Sequence, residues 1–164
     1  IKRSINIDQG TIKFIEPELK ERLEKIKLLS NHFLKKEKEI EDANSLLGKD
    51  KVNHRRLTNI GVFRAYIIEY LKTSDNINND LTMMVRQLTP TSIGLPLEVY
   101  AFTSSVEWTE YESVQSDIFD HLLATISVFD LKLTQAPSGN DIKSLGININ
   151  KNSKNINEKL PRAD

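Results

Sequence analysis

The chain contains no cysteine, no net charge and no long apolar run. The missing thiols exclude disulfide frameworks, zinc–thiolate sites and cysteine nucleophiles together, and they fit a reducing compartment. Lys+Arg and Asp+Glu both number 23, so the basic excess of a general polyanion binder is absent and no nucleic-acid partner is expected. No stretch approaches the roughly 18 apolar residues that a membrane span needs. The six glycines are scattered, and neither a P-loop nor a G-x-G-x-x-G phosphate cradle can be written from them. No nucleophile elbow is present and the three histidines stand on separate segments, so a catalytic triad has nothing to start from and an enzyme is not expected.

What remains is the composition of a globular domain: 164 residues, 38% hydrophobic and 28% charged. At this length a single core hides roughly 70% of the unfolded surface without staples. Ile1 opens directly into strand-like sequence, as expected of a piece cut from a longer protein.

Ile5 and Ile7 alternate with Ser4, Asn6 and Asp8, which predicts a half-buried first strand. Pro17 suits the first turn of a helix, and Leu19, Leu23, Ile26, Leu29, Phe33 and Ile40 continue it to Asp42 as one apolar stripe. Glu18–Arg22 and Glu21–Lys25 are spaced for favourable ion pairs along it. The sevenfold spacing of Leu19, Ile26, Phe33 and Ile40 also fits a coiled coil, with packing on the chain's own domain preferred. Thr58 caps a second helix that buries Ile60, Phe63, Ile67, Tyr70 and Leu71, and the polar run 74–80 ends it.

Residues 81–88 and 95–103 read as two strands joined by the Pro90- and Gly94-containing loop. Thr109 and Glu112 form a capping box before a third helix with Val114, Ile118, Leu122, Ile126 and Phe129 inside. Residues 131–135 supply a fourth strand. The order β-αα-β-β-α-β with right-handed crossovers predicts an α+β, ferredoxin-like two-layer sandwich with an enlarged helical first crossover. Residues 9–139 form its α/β domain, with the helical insertion at about 17–57. Residues 140–164, rich in asparagine and without aromatics, are expected to be a disordered tail.

Four clusters invite chemistry and have plainer explanations. Asp117, Asp120 and His121 have helix spacing suited to a metal, yet a polar helix flank produces the same pattern and no metal is assigned. Glu107, Glu110 and Glu112 place favourable charge at a helix start. Tyr100 and Phe102 alternate on one strand face, as base-stacking aromatics do, but the accompanying RNA-binding motif is missing. His54, Arg55 and Arg56 read as a solvated basic cluster. No cofactor is expected.

Long segments nevertheless resemble one family: IKRSINID (1–8), LTNIGVFRAYIIEYL (57–71), LTMMVRQLTPTSIGLPLEVYAFTSSVEWTEYESVQSDIFDHLLA (81–124) and APSG (136–139). They are similar to the C-terminal cytoplasmic part of small-conductance mechanosensitive channels, in the miniconductance branch. The resemblance implies a channel of the bacterial inner membrane, opened by bilayer tension, that releases ions and small solutes on hypo-osmotic shock. It further implies that residues 1–8 end a preceding β domain, and that copies form a homo-oligomeric cage, a heptamer, below the pore. It brings no catalytic, metal or cofactor-binding residues. Tyr100, Phe102 and Trp108 are the expected subunit or domain contacts, since large aromatics near a strand end are costly to leave wet. The alternative is a stand-alone ferredoxin-like module that binds a small ligand and regulates an attached domain.

Overall fold

Strand β3 (Leu95–Tyr100) lies at the centre of a three-stranded antiparallel sheet, between β1 (Lys2–Ile7) and β2 (Met84–Gln87). Ile5 stands opposite Leu97, Arg3 opposite Val99, and Val85 opposite Val99 on the other side. Period-two alternation sends Ile5, Ile7, Leu97, Val99 and Val85 into the core, all buried. The computed structural model describes residues 1–135, of which Ile1–Thr134 form one compact unit; the predicted tail at 140–164 and the APSG segment lie outside the described residues.

Among the described residues four α-helices accompany the sheet: α1 (Pro17–Glu24), α2 (Ser30–Asn44), α3 (Asn59–Lys72) and α4 (Trp108–Thr125). The core joins Val62, Phe63, Ile67 and Leu71 of α3 to Ile118, Phe119 and Leu122 of α4 and to the inward strand residues. Arg3 also points to the helix side, its guanidinium 4.5 Å from the centre of the Phe119 ring. The fold is therefore α+β, as the element order predicts.

The helix predicted over 17–42 is two helices. Its backbone becomes extended at Ile26 (φ −79°, ψ 108°), and a 3-10 turn over Lys27–Leu29 leads into α2. Leu23 and Leu29 explain the break. On one straight helix, six residues of separation would turn them about 120° apart. Broken, the chain buries both completely. The break removes the continuous heptad seam. The ion pairs also differ from the expected ones: Arg22 reaches Asp130 at 2.7 Å instead of Glu18, and Lys20 joins Glu24 and Glu37.

Pro17 does occupy the first turn of α1, and the Thr58 hydroxyl does accept from the Gly61 N–H at 3.2 Å. The capping box at Thr109 does not form. Helix α4 begins two residues earlier, with Glu107 at its cap position and no side-chain cap. Trp108, in the first turn, stacks on Tyr111 with ring centres 5.7 Å apart, an i,i+3 contact that accompanies the earlier start.

Strand β2 is shorter than the apolar pattern suggests, and β3 stops at Tyr100. Beyond it the chain bonds to the loop after α3: Asn78 N–H donates to Phe102 O at 2.8 Å, and Ser104 N–H to Asn76 O at 2.8 Å. Residues 131–135 do not form a strand, but they run beside β1. Leu133 bridges Ile7, Asp8 N–H donates to Lys132 O, and Thr134 N–H to Asn6 O, both at 2.9 Å.

Asn59 ties the helical crossover to the rest of the fold. It is fully buried, and its Oδ1 accepts from the N–H groups of Lys13 (3.0 Å) and Ile60 (2.9 Å). Its Nδ2 donates to Thr11 O (2.9 Å) and Phe129 O (3.1 Å). One amide thus satisfies backbone groups from three segments.

Candidate functional site

The three aromatics singled out in the sequence converge on one end of the sheet. Tyr100 closes β3 opposite Lys2 and Met84 and is half-buried. Its ring meets Phe102 edge-on, with centres 5.4 Å apart. Phe102 is 39% exposed and Trp108 is 70% exposed. An open groove of about 450 Å³ connects them, lined by Ile1, Phe102, Val106, Trp108, Tyr111 and Glu112 among others. Val106, in the same lining, is 96% exposed. Sequence reasoning missed Val106 and Tyr111. Tyr111 stands three residues beyond Trp108, and that i,i+3 spacing was the available signal.

Local structure explains why this end stays open. The chain leaves the sheet at Tyr100, and the Ile1 amino group donates to Ala101 O at 2.5 Å while Ala101 N–H donates to Ile1 O at 3.1 Å. That ladder occupies the backbone and leaves the side chains of Phe102, Val106 and Trp108 on the surface. Single exposed hydrophobics are ordinary, but several grouped around a groove mark a contact surface.

The remaining sequence candidates are dispersed. His121 Nε2 shares a hydrogen bond with the Tyr66 hydroxyl at 2.6 Å, and its ring stacks on Tyr70 with centres 4.1 Å apart. Burial raises the pKa of both tyrosines. Asp117 and Asp120 are exposed, and among the described residues no group of three or more acidic, histidine or cysteine side chains is gathered as for a metal. Glu107, Glu110 and Glu112 lie along the first turns of α4, where the helix dipole favours them.

On the sheet face away from the helices, Glu98 is buried and accepts from Arg86 Nε (2.8 Å) and Nη2 (2.7 Å). This fork closes the cross-strand pair between β2 and β3. Arg55 and Arg56 border a second groove, between α2 and α3, together with Lys36 and Arg64.

No family model matches the chain, and no solved structure matches it. Among the described residues no helix is long and apolar enough to cross a membrane.

Proposed function

We propose that this chain is the cytoplasmic cage domain of a tension-gated mechanosensitive channel of the small-conductance type, in the miniconductance branch. In this reading the chain does no chemistry. It contributes subunit assembly, the walls of the pore vestibule and a bias on gating, while ions and small solutes pass through a pore that lies elsewhere in the parent protein. The parent sits in the bacterial inner membrane with this part on the cytoplasmic side, and its copies form a homo-oligomer, a heptamer by resemblance.

The observation that carries the reading is where its most specific stretches fall. Within residues 81–124, the specific stretches 86–103 and 111–124 supply the end of β2, β3 and most of α4; they carry Phe102, and the exposed Val106 and Trp108 sit in the short link between them. A self-associating domain needs such a surface, because desolvated aromatics dominate contact energies. Tyr100, Phe102 and Trp108 are its proposed contact residues.

The finer fold belongs to the same proposal. Residues 131–135 run antiparallel to β1 on the side away from β3, where a ferredoxin-like sandwich carries its fourth strand.

The test begins with the parent gene. Upstream of Ile1 it should encode several apolar runs of about 20 residues, the last rich in small residues. Membrane patches holding the parent should then open under suction. Phe102→Ser with Trp108→Ser should weaken cross-linking between subunits, while unfolding of the isolated chain shifts by less than about 0.5 kcal/mol. A parent without apolar runs, or one that never enters a membrane, ends the proposal.

A further inference from the structure

The groove between α2 and α3, about 570 Å³ in volume, carries an uncompensated positive charge. Lys36, Arg55, Arg56 and Arg64 border it against Glu39 and Glu69, four cations facing two carboxylates. Both carboxylates are already engaged, Glu39 with Lys36 (2.5 Å) and Glu69 with Lys72 (2.8 Å). Among the described residues the Arg55 and Arg64 side chains make no ion pair or hydrogen bond, although both are exposed at the groove.

Arg56 is the most constrained of the four. Its guanidinium lies 3.9 Å from the centre of the Phe14 ring, and Nη1 stands 3.7 Å from Glu16. Its Nε is buried and has no acceptor among the described residues. A buried donor without a partner is unfavourable and is normally matched. That atom is closed to solvent, so Arg56 contributes its charge to the groove and not a bond from Nε.

The backbone cannot be the receptor. In the first turn of α3, Gly61 N–H is held by Thr58 and Ile60 N–H by Asn59 Oδ1. Side chains must do the binding, and arginine forks suit phosphate oxygens, which they grip in pairs. An excess of two positive charges matches a phosphate monoester, which carries about −1.5 to −2 at pH 7. Ile40, Leu57 and Ile68 form an apolar part of the lining, so the ligand has a non-polar body beside its phosphate.

We infer that the α2–α3 groove binds a phosphate-bearing organic anion, held by Arg55, Arg64 and Lys36 around the fixed Arg56. The phosphate belongs either to a soluble monoester or to a lipid headgroup. The site is independent of the channel reading, because binding by the isolated chain is its readout.

Calorimetric titration of the 164-residue chain in 0.1 M NaCl, an order-of-magnitude physiological ionic strength, tests it with three probes. These are AMP, inorganic phosphate, and phosphatidic acid vesicles set against phosphatidylcholine vesicles. Binding of AMP more tightly than inorganic phosphate supports the site with a soluble ligand. Binding only to phosphatidic acid vesicles supports it with a lipid source. Arg55→Gln with Arg64→Gln should weaken whichever binding is seen by about tenfold or more, with the melting temperature of the free chain unchanged. Should that pair disturb folding, Lys36→Gln replaces it with the same expected direction. The inference is overturned if no probe binds, or if the folded variants bind as tightly as the parent sequence.

Discussion

The Tyr66 hydroxyl lies 2.6 Å from His121 Nε2, which couples the middle of α3 to α4 across 55 residues of sequence. Thr125 Oγ1 stands 3.4 Å from the same nitrogen, and Phe63 and Phe129 crowd the Tyr66 ring. The contact explains why a histidine with metal-ligand spacing on α4 serves packing. Its partner comes from another helix, not from Asp117 one turn away.

Tyr66→Phe should therefore destabilise the chain by about 1–2 kcal/mol, since it keeps the ring and removes the bond. A double-mutant cycle with His121→Ala, followed by urea unfolding, should return a coupling of about 0.5–1.5 kcal/mol. Strictly additive single effects would show that the bond contributes nothing.

Asn59→Ala should cost more, about 2–4 kcal/mol, because four hydrogen bonds to buried or half-buried backbone groups vanish together. Amide exchange at Lys13 and Ile60 should accelerate beyond the change at Val99. Uniform acceleration across all three would mean that Asn59 is not a local tie.

Gly94 adopts φ +104°, and a Cβ there would stand 2.6 Å from Ile7 O and 2.3 Å from Thr134 Oγ1. Both the backbone conformation and the space demand glycine. Gly94→Ala should lose about 2 kcal/mol or more, with residues 131–134 losing protection first. A variant as stable as the parent would contradict this packing.

Asp130 offers a pH test. Hydrogen bonds from Lys13 (2.8 Å) and then Arg22 (2.7 Å) hold its carboxyl below the ordinary value of 3.8. A depressed folded pKa stabilises fully above the unfolded value and is lost as pH falls through the folded one. Asp130→Asn tolerates the left-handed φ of 55° while removing the charge. The stability gap between parent and variant should be about 0.5–2 kcal/mol at pH 7 for two partly exposed pairs. It should hold steady down to about pH 5 and close below 3.8. A gap that widens on acidification would reverse the assignment.

Local patterns account for much of what is legible in the chain. Alternation in residues 1–8 marks β1, Pro17 marks the start of α1, and Thr58 marks the cap of α3, because each depends on neighbours a few residues away. The hairpin between β2 and β3 follows from its turn residues in the same way. The apolar aromatics Phe102 and Trp108 could be singled out as surface residues, but Val106 carried no such signal. The basic groove was less legible still: Arg55 and Arg56 were visible as a cluster, while Arg64 and Lys36 come from helices on either side of it.

Period, composition and turn chemistry determine that this chain is α+β, and which faces of its strands and of α3 turn inward, because burying apolar side chains at the local repeat is the dominant driving force. Only the tertiary structure decided where the first long helix breaks and whom His121 meets. The break lets Leu23 and Leu29 enter one core, and Tyr66 waits opposite His121. Those outcomes depend on partners far away in sequence or on how a whole helix is seated, and no local repeat encodes them.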